Sequence, residues 1–209
     1  MISDVPTKSR LSTKDEDEKY KFVNKDKPKK RIDTIFLMDA SSSIGPSIFE
    51  CGIEAMQNAA EIIDSQNKIA SESTRLAVLK FSSSSLTRFE FGFDKYMSLE
   101  EVKEGLRKIL YQGGGTRIDR GLALARQHFI LKGRSGADKV MIVMTDGKSK
   151  PYIASRQARL LRNMGVEIFA VAIGVDIALD KIRDMVSKPE DIHIIKSLNY
   201  CSFNSELIN

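Results

Sequence analysis

Short apolar runs alternate with helical stripes along most of this 209-residue chain, and that alternation restricts the fold more than any other feature. Residues 32–38 (IDTIFLM), 75–81 (RLAVLKF), 139–145 (KVMIVMT) and 167–173 (EIFAVAI) are near-continuous apolar segments of strand length. Residues 86–93 alternate polar and apolar positions, as a strand at a sheet edge does, and residues 191–196 (DIHIIK) form a last strand. Between them, residues 47–64 carry Ile48, Ala55, Met56, Ala59, Ile62 and Ile63 at helical spacing, and Pro46 stands where a first helical residue belongs. Ser98 and Glu101 have capping-box spacing ahead of Val102, Leu106, Ile109 and Leu110. Ile118, Leu122, Ala125 and Phe129 step by four, three and four. Residues 153–164 form a helix stopped at Gly165, and residues 178–186 a short one. Strands apolar on both faces and interleaved with helices predict an α/β sheet, mostly parallel and covered on both sides.

The charge is unevenly placed. The formal net charge is +5, but residues 1–31 hold ten Lys or Arg against six Asp or Glu, which accounts for +4 of it. That stretch has too little apolar surface to offset its ordering entropy, so residues 1–31 read as a disordered charged arm or linker and residues 32–209 as one folded domain. Because lysines and acids interleave in the arm, a solvated linker is favoured over a nucleic-acid-binding segment. A hydrophobic content of 42% excludes disorder of the whole chain. No run approaches the roughly 20 apolar residues of a membrane span. The first 21 residues lack the apolar core of a secretory signal, so the chain is intracellular or a segment whose targeting sequence lies elsewhere.

In open parallel sheets, ligands bind at the carboxyl ends of the strands. Asp39 ends the first strand and Asp146 follows the 139–145 strand. Asp39, Ser41 and Ser43 are spaced by two, so in an extended loop their oxygens point to one side. Thr116, after Gly113-Gly114-Gly115, offers another hydroxyl. Singly, each is an ordinary cap or turn former. Together, two carboxylates and three hydroxyls predict an all-oxygen site for a hard divalent cation, Mg²⁺ first, with Mn²⁺ or Ca²⁺ possible. The glycines fit neither the P-loop nor the Rossmann dinucleotide spacing. His128 and His193 read as structural.

The run Asp39-Ala40-Ser41-Ser42-Ser43-Ile44-Gly45 resembles the D-x-S-x-S metal-ion-dependent adhesion site (MIDAS) of the von Willebrand factor type A domain family. Residues 113–116 resemble that family's threonine loop, and Thr145-Asp146-Gly147 its aspartate loop. The resemblance extends over about residues 32–208. It implies a three-layer, Rossmann-like α/β sandwich whose six-stranded sheet has one antiparallel edge strand, here residues 86–93. It also implies Asp39, Ser41, Ser43, Thr116 and Asp146 as the metal set, with an Asp or Glu of a protein ligand completing the cation's coordination. That is adhesion rather than catalysis, and no His, Cys or Lys in these loops reads as a base or nucleophile.

In the family the first and last helices are neighbours, so a Cys51–Cys201 bridge is geometrically possible; two small buried thiols are the alternative. The family's last helix is expected where only residues 203–208 remain, which implies a fragment or a short final helix. The functional expectation is a non-enzymatic, cation-dependent module of an extracellular or secreted matrix or cell-surface protein. An intracellular adaptor in a multiprotein assembly is the alternative, and a hydrolase using the same cation would need a general base that the loops do not supply.

Overall fold

The computed structural model describes residues 30–149 and 151–201. Most of the expected arm, and the segment expected to hold the last helix, lie outside the described residues. The elements run β1 (Ile32–Asp39), α1 (Pro46–Gln66), β2 (Thr74–Phe81), β3 (Arg88–Phe91), α2 (Leu99–Arg107), α3 (Ile118–Lys132), β4 (Asp138–Thr145), α4 (Pro151–Arg162), β5 (Val166–Ile173), α5 (Leu179–Arg183), a 3₁₀ turn (Glu190–Ile192) and β6 (Ile194–Ser197). The sheet order is β3-β2-β1-β4-β5-β6, and only the β2–β3 pair is antiparallel.

Alternate residues of the central strand feed two separate cores. Ile35 and Leu37 pack with Leu79, Leu122, Phe129 and Val143 on the face covered by α3, α4 and α5. Phe36 and Met38 pack with Phe49, Met56, Leu106 and Met144 on the face covered by α1 and α2. This is period-two alternation between buried layers, and each such side chain contributes about 1.5–3 kcal/mol.

The last strand starts only at Ile194, because Glu190–Ile192 form a 3₁₀ turn, and the short helix spans only Leu179–Arg183; three further differences from the expected pattern stand out. The edge strand is only Arg88–Phe91, and its pairing with β2 carries a register irregularity at Val78/Leu79. Helix α2 ends at Arg107, so Ile109 and Leu110 fall beyond it. Ile109 stays buried, but Leu110 is 72% exposed and uses its carbonyl to accept a hydrogen bond from the buried Lys80 ammonium at 2.6 Å. The apolar stripe of α1 is wider than its cover: Ile62 is 40% exposed, beside a groove of about 520 Å³ lined by Phe36, Met56, Ile63, Phe169 and Val171.

The amino-terminal end of the sheet is closed by charge. Asp33 on β1 is fully buried and accepts two hydrogen bonds from the Arg75 guanidinium, both at 2.9 Å. It also accepts from the Arg134 backbone N–H at 2.8 Å and from Arg134 Nε at 3.0 Å. Burial pushes the Asp33 carboxyl up, but these donors outweigh it and hold the group below its ordinary value.

Candidate functional site

The site forms where the crossovers diverge. The chain leaves β1 toward β2 on one side and β4 lies on the other, so the loops after β1 and β4 part at their carboxyl ends. Met38 on β1 pairs in register with Met144 on β4, which sets Asp39 level with Thr145.

Asp39 is fully buried. Its Oδ1 accepts the Ser41 backbone N–H at 2.9 Å, and its Oδ2 accepts the Thr145 hydroxyl at 2.7 Å. The first bond curls the loop so that Ser41 is buried and Ser43 exposed, with their Oγ atoms 3.2 Å apart. The Ser41 and Ser43 hydroxyls therefore lie together, but through a turn over residues 41–44 and not through the extended loop expected from the spacing.

Asp146 is held by its own turn. Its Oδ1 accepts the Lys148 N–H at 3.0 Å, and its carbonyl accepts the Ala178 N–H at 3.1 Å. The Lys148 ammonium is turned to Asp176, 3.7 Å away. No cation of the chain pairs with Asp39 or Asp146 among the described residues. Burial pushes the Asp39 carboxyl up to about 6; the Ser41 and Thr145 hydrogen bonds oppose this, and the nearby Asp146 charge adds to it.

Thr116 is half-buried at the end of a loop laced to the serine loop. The Ser42 N–H donates to the Gly114 carbonyl at 2.9 Å, and the Gly114 N–H donates back to Ser42 Oγ at 2.9 Å. From the other side, Ser82 Oγ donates to the Gly113 carbonyl, and Ser83 Oγ accepts the Gly115 N–H at 2.9 Å. Gly114 has a φ of +96°, and a Cβ there would lie 2.7 Å from both Ser82 Oγ and Ser83 Oγ. Only glycine allows this closeness.

The structure thus brings the loops carrying Asp39, Ser41, Ser43, Thr116 and Asp146 to one end of the sheet. The donors are all oxygen, with two carboxylates among hydroxyls, and that set suits a hard divalent cation. Among the described residues no cluster of three His, Cys, Asp or Glu exists, so a softer-ligand metal site is absent there. The histidines lie elsewhere: His128 contacts the Phe89 and Phe93 rings, and His193 is held by the Pro189 carbonyl and Glu167.

Sequence reasoning missed the supporting residues. Ser42, Ser82 and Ser83 position the glycine loop, and Thr145 orients Asp39. The run Ser82–Ser85 after β2 carried a signal, being another hydroxyl cluster at a strand's carboxyl end. Tyr200 carried none. Its fully buried ring packs on Gly52, its hydroxyl has no hydrogen-bond partner among the described residues, and burial with the charges of Asp39 and Asp146 raises its ionisation well above the ordinary value. The adjoining Cys201 is bonded to Cys51 on α1, with Cα atoms 5.0 Å apart.

The sequence profile of the von Willebrand factor type A domain matches residues 33–206. Von Willebrand factor A domain-containing protein 2 of Mus musculus is 33% identical over 166 residues, 78% of this chain and 20% of that protein. Matrilin-1 of Homo sapiens is 29% identical over 175 residues, 82% of this chain and 34% of its own length. The chain therefore spans a fifth to a third of these relatives. Proximal thread matrix protein 1 of the mussel byssus superposes with a TM-score of 0.74 at 26% identity, covering 86% of this chain and 45% of the other. A further structure of that mussel protein, at 24% identity and TM-score 0.74 over 86% and 47% of the two chains, is described with its MIDAS motif occupied by zinc.

Proposed function

The chain belongs to the von Willebrand factor type A domain family, and from that premise we propose that it is a divalent-cation-dependent protein-binding module in which Asp39, Ser41, Ser43, Thr116 and Asp146 hold the ion. The single observation that carries this reading is the pair of buried acids at one sheet end, faced by hydroxyls and by no cation of the chain among the described residues. Mg²⁺ fits the all-oxygen set best, with Mn²⁺ or Ca²⁺ as substitutes. Zinc in the mussel relative's motif supports a divalent ion at the corresponding loops.

Two carboxylates nearly neutralise such an ion, and the three hydroxyls add no charge. Bound there, the ion supplies an electrophilic position for a carboxylate of a protein ligand, an Asp or Glu side chain. The chain's own residues do the rest. Thr145 and the Ser41 N–H fix Asp39, the turn at Gly147 fixes Asp146, and Ser42 with Ser82 and Ser83 holds the glycine loop in place. Ser43 lies at the exposed rim, where a partner would approach. No histidine or free thiol stands among these side chains, which supports binding rather than catalysis.

The ligand on this reading is a matrix or cell-surface protein, and the module is extracellular. The Cys51–Cys201 bond suits an oxidising compartment, and the likeness to a byssus thread matrix protein points the same way. The test is calorimetric titration with Mg²⁺ and Mn²⁺ of the wild type and Asp39→Asn, followed by capture of proteins from matrix extract with Mg²⁺ or with EDTA. Binding of about one ion, lost in the variant, together with chelator-sensitive capture is expected. Ion binding unaffected by Asp39→Asn, or capture indifferent to EDTA, would refute the metal-bridged mechanism.

A further inference from the structure

Arginines in this domain divide into two sets. Of the twelve in residues 30–201, Arg31, Arg75, Arg88, Arg117, Arg134 and Arg183 each lie within 4.0 Å of a carboxylate. Of the other six, five stand on two packed helices: Arg120 and Arg126 on α3, and Arg156, Arg159 and Arg162 on α4. Helix α4 contains no Asp or Glu, and the one acid of α3, Asp119, is engaged by Arg117. In a domain whose net charge is near zero, this is a segregated basic face with one acid, Asp184, at its edge.

These side chains border two shallow grooves. One, of about 350 Å³, is lined by Ser155, Arg156, Arg159, Arg162 and Asp184. Arg162 anchors its floor by donating to the carbonyls of Asp184 and Met185, which leaves Arg156 and Arg159 exposed above it. The other, of about 490 Å³, is lined by Arg120 and Arg126 along the outside of α3. Arg126 Nε is shielded from solvent and has no hydrogen-bond partner among the described residues.

We propose that this face of α3 and α4 binds a sulfated polysaccharide. Helical rise and helix–helix spacing spread the guanidinium groups over roughly 20 Å, too far apart for a single anion or one acidic side chain and suited to a chain of repeating anionic groups. Guanidinium is weakly hydrated and pairs in a planar, bidentate manner with sulfate-like oxygens. Among the described residues, no aromatic ring of the kind that stacks on single-stranded nucleic acid lines either groove. The surface needs no metal, although Arg120 follows Thr116 by only four residues, on the first turn of α3.

The test uses the full chain with heparin as the probe, in 0.1 M NaCl containing EDTA, so that failure of the cation reading leaves it intact. Arg120→Gln/Arg156→Gln/Arg159→Gln removes three exposed groups that make no ion pair among the described residues. Lys25→Gln/Lys27→Gln/Lys29→Gln removes the same charge from the basic arm. Since each cation–sulfate contact contributes a few-fold in affinity, the first variant should weaken binding at least about tenfold and the second less than about threefold. Desulfated heparin should bind at least about tenfold more weakly than heparin. The proposal is overturned if the wild type does not bind, if the arm variant loses as much as the helix variant, or if duplex DNA or desulfated heparin binds as tightly as heparin.

Discussion

Two buried aspartates lie six residues apart on one strand, and their surroundings are opposites. Asp33, at the amino end of β1, receives four hydrogen bonds from Arg75 and Arg134. Asp39, at the carboxyl end, receives one amide and one hydroxyl, and its nearest charge is the like charge of Asp146. Both pay a desolvation cost, but only Asp33 recovers it within the chain. A fold that neutralises one buried acid and leaves its neighbour without a counter-charge among the described residues sets a structural carboxylate beside one that suits the proposed ion site.

That contrast is broken most directly by neutralising each acid in turn. Asp33→Asn strands two part-buried guanidinium groups and should cost about 3–5 kcal/mol, whereas Asp39→Asn without divalent ion should shift stability by no more than about 1 kcal/mol. Urea denaturation in EDTA measures both, and equal costs would erase the distinction. Next, Mg²⁺ at one hundred times its dissociation constant should stabilise the wild type by about 2.7 kcal/mol, and Asp39→Asn by nothing measurable.

Acid titration gives a smaller effect. The Asp33 carboxyl is held below its ordinary value, so its contribution is fully present above the unfolded pKa of about 3.9 and is lost as pH falls through the lower folded value. Asp33→Asn should flatten that acid limb of stability against pH, as followed by denaturation in EDTA. The smallest change is Tyr200→Phe. It removes a buried hydroxyl that has no partner among the described residues, and should stabilise the domain by about 1 kcal/mol in thermal unfolding.

How much of this was legible in the sequence follows from distance along the chain. The apolar runs announced the strands, and the acids at their ends announced the site, because both signals are local. The partners of Asp33 were not readable: Arg75 and Arg134 are 42 and 101 residues away and meet it only through the sheet. The arginine face was hidden by the same cause. Net charge over residues 32–209 is nearly zero, and only folding shows which arginines find a carboxylate. Leu110 misled because its spacing continued a helical stripe after the helix had ended at Arg107. Ile62 is exposed because α1 overhangs a groove that no described residue fills.

The bond between Cys51 and Cys201 joins residues separated by 150 positions. Asp39, Ser41 and Ser43 precede the first cysteine, while Thr116 and Asp146 lie between the two. A single proteolytic cut between residues 52 and 115 would therefore put the proposed ion donors on two polypeptides and still leave them covalently joined. Such a nicked molecule would run as one band until reduced, and its two pieces would stay in register through the sheet. For a module exposed to proteases, the bridge is a means of outlasting damage as well as a brace for the fold.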